Sequence, residues 1–214
     1  MYPEVLSDSL WELLSRLNSI PDMEHCYLGG GTALALQLEH RRSEDLDFFV
    51  TEKFDDLSFK RNIQREGVHA LVINQTSNHI ELMIESTKVD LIRERISTKF
   101  PLKPIHTLGG HLKMADSRDI GRMKIMSIGS RGSRKDFVDL YCLTRHIIPL
   151  ESLIMMAVEE DQGIKYSKLL FLKGLVDFEE ADREADLAMI WKIGWEEVKR
   201  TLVEEVMKIA KKIR

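Results

Sequence analysis

Several residues and patterns that would assign a chain to a class are scarce here. There are only two cysteines, Cys26 and Cys142. Two thiols are too few for a disulfide scaffold of this size, and no Cys or His spacing suggests a zinc site. Both read as buried free thiols. No apolar run approaches the roughly 18 residues needed to cross a bilayer, so no membrane partner is expected. The stretch MYPEVLSDSLWELL has no basic segment and carries acids among its apolar residues, unlike a secretory signal. The expected location is therefore cytoplasmic. Positive charge is not in excess either: the formal net charge is -4, which gives no whole-chain sign of a nucleic-acid binder. The seven histidines show no HExxH or related spacing, and they suggest no metal role.

What is present is a chain that is 43% hydrophobic, enough to bury a sizeable core. Val5, Leu6, Leu10, Leu13, Leu14 and Leu17 recur at helical spacing over residues 4–18. Cys26–Leu28 reads as a short strand, Thr32–Glu39 as a helix, Leu46–Val50 as a strand and 54–66 as a helix. Strand-like runs follow at Ala70–Asn74, Ile80–Ile84 and Val89–Arg93, with a fourth near Ile105–Leu108. Beyond about Ala115 the pattern is helical, at 118–128, 134–146, 150–160, 166–176 and 195–212. The expected fold is α+β. A small mixed sheet flanked by helices occupies residues 1–115, and a helical part occupies 116–214.

Two features of LGGGTALALQLEHRRSEDLDFFV, residues 28–50, carry chemistry. In a strand, residues i and i+2 share a face. Asp45 and Asp47 therefore point together, opposite Leu46, Phe48 and Val50. Two ionised carboxylates this close repel, and a hard divalent cation such as magnesium relieves the repulsion. Asp90, in KVDLIR, sits between apolar neighbours, where a lone acid is costly unless paired or bound to metal. If its strand lies beside the first, three carboxylates converge and can hold two metals. The plainer alternatives are a surface triplet or a strand end for Asp45 and Asp47, and an ion pair of Asp90 with Arg93, Arg95 or another basic group. Gly29, Gly30 and Gly31 precede a helix start at Thr32. Such a start offers backbone N–H groups and a partial positive charge to a phosphate. A tight turn with a Thr cap explains the same residues. The segment is neither a P-loop nor GxGxxG.

Gly-Thr at a helix start, then residues 33–44, then Asp45-Leu46-Asp47, with Asp90 in a later strand, resembles the nucleotidyltransferase superfamily related to DNA polymerase beta. Gly30-Gly31-Thr32-Ala33-Leu34 and Arg41-Arg42-Ser43-Glu44-Asp45-Leu46-Asp47-Phe48-Phe49 resemble one branch of it, the AbiEii/AbiGii toxin family. DIGRMKIMSIGSRGSRKDFVDLYCL, residues 119–143, fits the same branch.

The resemblance implies an NTP-dependent enzyme using Mg2+ (or Mn2+) on Asp45, Asp47 and Asp90. It implies catalytic roles for those acids, for Lys124, and for Asp136 or Asp139. It implies nucleotide contacts at Gly30, Gly31, Thr32, Ser43, Lys124 and Arg131. The acceptor it implies is RNA or tRNA, and the partner a small winged-helix antitoxin. Read from the residues alone, Arg122, Lys124, Arg131, Arg134 and Lys135 form a local basic cluster suited to phosphate. Ser133 and Asp136 equally fit a capping box, and Lys124 fits a surface lysine. A non-catalytic nucleotide- or metal-binding module and a small-molecule nucleotidyltransferase remain the alternative functions. The acidic stretch 177–186 reads as a solvated face or a docking surface, and Trp191 and Trp195 as packing residues.

Overall fold

The structure is a computed structural model that describes residues 1–51, 54–93, 97–109, 112–129, 132–159 and 166–212. The chain divides into two compact units. One is Met1–Gln37 with Arg42–Asp116, and the other is Leu38–Arg41 with Ser117–Arg214.

The first unit holds a mixed seven-stranded sheet. Helix α1 (Asp8–Asn18) starts at Ser7, whose hydroxyl accepts from the Leu10 N–H, and it buries Leu10, Leu13, Leu14 and Leu17. Strand β1 (Cys26–Leu28) leads into α2 (Gly30–Leu38), then β2 (Leu46–Val50) and α3 (Asp56–Arg65). Strands β3 (Ala70–Gln75), β4 (His79–Ile84) and β5 (Thr87–Arg93) form an antiparallel meander. The β4–β5 turn places Glu85 and Ser86 at positive φ, as a two-residue hairpin turn requires. Short strands β6 (Lys103–Pro104) and β7 (Lys113–Met114) complete the order β3-β4-β5-β2-β1-β7-β6. β2 runs parallel to β5 and antiparallel to β1.

Two local expectations need correction. The helix after the glycines begins at Gly30 rather than Thr32, so two of the glycines form its first turn. The strand expected near Ile105–Leu108 is a 3-10 turn over His106–Leu108, flanked by β6 and β7. β7 owes its conformation to pairing with β1, with Tyr27 opposite Lys113 and Leu28 opposite Met114. A two-residue strand fixed by such a partner leaves no period in the sequence.

The second unit is helical: α4 (Ser117–Ile128), α5 (Arg134–His146), α6 (Leu150–Val158), α7 (Lys168–Gly174), α8 (Glu179–Arg183) and α9 (Trp195–Lys211). Its core gathers Ile125, Phe137, Leu140, Leu153 and Phe171 with the α9 stripe Val198, Leu202, Val206 and Ile209. Each such side chain contributes roughly 1.5–3 kcal/mol on full burial. Ile213, expected on the same stripe, lies outside the described residues. Trp191 and Trp195 pack against this core. Leu38–Arg41 belongs here because the His40 carbonyl accepts the Ile190 and Trp191 N–H groups, at 3.0 and 3.1 Å. Cys26 and Cys142 are both free and buried. Burial, with Asp22 nearby for Cys26, pushes each thiol up to about 12. Among the described residues no single helix is long and apolar enough to cross a membrane.

Candidate active site

The alternation in β2 separates its two faces. Leu46, Phe48 and Val50 are buried, while Asp47 and Phe49 point the other way and are half-buried. β2 and β5 pair in register with Asp47 beside Asp90, and β4 continues the row with Glu81 beside Asp90. Partners in register share a face, so Glu81, Asp90 and Asp47 form an acidic row across three strands. Asp45 lies one residue ahead of β2, outside the strand ladder. Its backbone is pinned instead by Thr32, whose hydroxyl donates to the Asp45 carbonyl. The Ser43 hydroxyl lies 2.7 Å from the same Thr32 oxygen. With the Thr32 proton on Asp45, Ser43 is the donor of that second bond. Thr32 and Ser43, both expected to contact nucleotide, thus tie the loop before β2 to the start of α2.

The glycine turn lies directly against this row. A Cβ on Gly30 would overlap Asp47 Oδ2 and stand 2.8 Å from its Cγ, and Gly30 has φ +59°. Gly29 faces Phe49 in the same way, with a Cβ 2.6 Å from Phe49 Cδ2. The Gly29 N–H donates to the Asp47 carbonyl at 2.8 Å. Glycine is required here because a carboxylate and an aromatic ring of β2 occupy the space of its side chain. The start of α2 and the Asp47 carboxylate are therefore one local structure.

Asp90 pairs with basic groups, as the plainer alternative expected, but with His79 and Lys88 rather than Arg93. Arg93 instead bonds Asp56 at 2.7 Å, and Arg95 lies outside the described residues. Asp90 Oδ1 is held by His79 Nε2 at 2.6 Å and Oδ2 by Lys88 Nζ at 3.2 Å. Lys88 also reaches Glu81 at 3.3 Å. Burial would lower the Lys88 ammonium, but Asp90 and Glu81 outweigh it and hold it above its ordinary value. Sequence reading missed His79, Glu81 and Lys88 as members of the site. The signal was there as His79-x-Glu81 and Lys88-x-Asp90, each one face of a strand.

Among the described residues, no three His, Cys, Asp or Glu side chains gather closely enough to make a ready metal site. Magnesium asks for only one or two carboxylates and completes its octahedron with water and phosphate oxygens. Asp45 and Asp47 are the carboxylates that would supply that donor set. Asp90 is already held by two basic groups.

The second-half residues form a separate cluster inside the helical unit. Lys124 of α4 is 5% exposed, and its ammonium lies 2.7 Å from both Asp136 Oδ1 and Asp139 Oδ2. Arg41 clamps Asp139 with two bonds of 2.7 and 2.9 Å, and His40 Nε2 adds a third at 2.7 Å. Burial would raise the Asp139 carboxyl, but Arg41 and Lys124, with the His40 bond, hold it well below the carboxylate range. Burial would likewise lower Lys124, and Asp139 and Asp136 instead hold it above its ordinary value. Ser133 does not cap by accepting the expected N–H. Its hydroxyl donates to Asp136 Oδ2 at 2.8 Å, so the reciprocal capping box is absent. Arg122 and Arg134 are also buried, near Asp119 and bonded to Asp186 respectively. Arg122, Lys124 and Arg134 are thus turned inward, while Lys135 is half-buried. Arg131 lies outside the described residues. No spacing could have revealed His40 and Arg41 as partners of Asp139, since 99 and 98 positions separate them.

A mixed sheet with a glycine turn feeding a helix, and acids on neighbouring strands, defines a nucleotidyltransferase-type α/β protein. The family model described as "Nucleotidyl transferase AbiEii toxin, Type IV TA system" matches residues 12–212, so the chain belongs to the AbiEii family of nucleotidyltransferase toxins. It is 31% identical over 198 residues to an uncharacterised protein of Aquifex aeolicus (strain VF5), covering 90% of this chain and 94% of that one. Its fold is similar to that of JHP933 from Helicobacter pylori, with a TM-score of 0.60 and 18% identity over 97% and 94% of the two chains. It is similar also to MenT4, a nucleotidyltransferase toxin of Mycobacterium tuberculosis H37Rv, with a TM-score of 0.55 and 16% identity over 92% and 82%.

Proposed function

We propose that the chain transfers a nucleoside monophosphate from a nucleoside triphosphate to an acceptor hydroxyl, with RNA, and tRNA in particular, as the acceptor class. One observation carries the reading: the Asp47 carboxylate lies against Gly30 at the start of α2 and in register with Asp90. That arrangement sets an acidic row beside a helix start, where phosphates are favoured. Asp45 and Asp47 would hold Mg2+ (or Mn2+), with Asp90 beside them, and the ion would supply neutralisation of triphosphate charge. The N–H groups of Gly30, Gly31 and Thr32 would face the phosphates. The acceptor oxygen bonds to the α-phosphorus as the bond from that phosphorus to the bridging oxygen breaks. Pyrophosphate departs with the electron pair, and Asp90 takes the hydroxyl proton. His79 and Lys88 hold Asp90 in place, while each of its oxygens keeps a lone pair for that proton.

For Lys124, Asp136 and Arg131, a part in nucleotide binding or catalysis rests on the family resemblance alone. The contacts of Lys124 and Asp136 give both a structural role first. The toxin family also implies an antitoxin, and a small winged-helix protein is the proposed partner. The test is incubation with α-labelled triphosphates, Mg2+ and cellular RNA. Label fixed on RNA supports the proposal. Label on a low-mass compound replaces the acceptor, and nucleotide binding without any transfer replaces the enzyme with a binding module.

A further inference from the structure

The acids of the candidate site differ in how they are met. Asp45 and Asp47 are half-buried. Asp90 is 7% exposed, and each of its oxygens has a basic partner, His79 Nε2 at 2.6 Å and Lys88 Nζ at 3.2 Å. The paired ions of a two-metal site lie about 3.5–4 Å apart, so the acids that hold them must converge. Among the described residues no three acidic, histidine or cysteine side chains do so. Magnesium also binds a carboxylate oxygen at about 2.0–2.1 Å and keeps several of its waters. An ion that close to Asp90 would stand beside the Lys88 ammonium, cation against cation. The carboxylate there also has little exposed surface for the ion's water.

We propose that the site takes one divalent ion, on Asp45 and Asp47, and that the Lys88 ammonium stands at Asp90 in place of a second. The inference rests on the nucleotidyl-transfer reading. Lys88 has what the part requires. A lysine ammonium is charged at neutral pH and carries three N–H donors. Two of them lie towards Asp90 Oδ2 at 3.2 Å and Glu81 Oε1 at 3.3 Å. The side chain is 40% exposed, so the third is open to substrate. Lys88 and Asp90 share one face of β5, the face on which the acceptor hydroxyl would meet Asp90. The third N–H would donate to the oxygen that gains negative charge at the α-phosphorus. A second ion would make the same contact. One bond to phosphorus forms and one breaks, the acceptor proton goes to Asp90, and Lys88 keeps its own.

The test counts Mn2+ on the full chain by electron paramagnetic resonance. The nucleotide is a triphosphate whose α,β-bridging oxygen is replaced by methylene. Two ions about 3.5–4 Å apart would broaden each other's spectrum. The expected result is one ion per chain, with the spectrum of an isolated Mn2+. Lys88→Arg keeps a cation and should keep that count. Lys88→Met removes the cation at a side chain with ready solvent access, so the melting temperature should hold. At Mn2+ that fills one site, it should slow transfer of α-label by about 10²–10³-fold, the worth of one donor to developing charge. At higher Mn2+ its count should rise to two. Two coupled ions in a wild type that transfers label overturn the single-ion proposal and leave nucleotidyl transfer standing. Unchanged transfer or an unchanged count in Lys88→Met overturns the part given to Lys88. A wild type with neither bound Mn2+ nor transfer overturns the underlying reading and the proposal with it.

Discussion

The two charged clusters obey opposite rules. In the helical unit, Lys124 and Arg41 face Asp136 and Asp139, all buried and in equal number of each sign. On the sheet, Asp45, Asp47, Glu81 and Asp90 outnumber Lys88 and His79, and most are partly exposed. A closed, balanced and dry cluster has its interactions completed by the protein itself. An acid-rich row with solvent access can also meet a ligand. On the proposed reading, the first cluster is architecture and the second carries the chemistry.

Substitutions should divide along the same line. The largest effect on stability is expected from Asp139→Ala, which removes the carboxylate that clamps buried Arg41 and leaves buried Lys124 with Asp136 alone. Breaking such a pair costs about 3–5 kcal/mol, readable in denaturant titration. A change below about 1 kcal/mol, the usual range for surface pairs, would erase the distinction between the clusters. Asp90→Asn should do the reverse. Transfer should slow by about 10²–10⁴-fold, the usual worth of a positioned acid–base group, while the melting temperature stays within a few degrees. Gly30→Ala combines positive φ with overlap on Asp47. Backbone strain of this kind costs about 1–3 kcal/mol, and displacement of Asp47 should weaken Mn2+ binding, measurable by titration calorimetry. Unaltered Mn2+ affinity would show that the glycine serves the turn alone.

Acid and base should reach the helical unit differently. The Asp139 carboxyl is depressed, so its contribution is complete above the unfolded value of about 3.9 and is lost as pH falls through the folded one. Lys124 is raised, so its contribution is complete below about 10.4 and is lost as pH rises through its folded value. The contributions of Asp139 and Lys124 to the melting temperature should therefore be flat from about pH 4 to about pH 10 and fall outside that range. The smallest effect concerns the thiols. With both pushed up to about 12, neither should react with iodoacetamide in the native state at neutral pH.

The sequence made the sheet side more legible than the helical side. Asp45, Asp47 and Asp90 stand out because strand alternation separates them from apolar neighbours. The boundaries of β2 follow directly from LDFFV. The glycines were readable as a turn, but their cause was not, since it lies in side chains of β2 folded back onto them. His79 and Glu81 hid in a strand recognised mainly by its apolar half. The helical cluster was harder still, because its partners come from residues near 40, 124 and 136–139. Periodicity marked those helices but said nothing of which lysine turns inward. β7, only two residues long, depends on β1 for its existence.

The central claim is that Asp47, in its acidic row, and Asp45 just ahead of it are catalytic rather than structural. Its most direct test is the double substitution Asp45→Asn with Asp47→Asn, read for Mg2+-dependent transfer of α-label and for melting temperature together. The account predicts a loss of transfer of roughly 10³-fold or more, on the scale of removing preorganised electrostatic stabilisation, with the fold intact. Transfer and metal binding that persist in the folded double variant would contradict it.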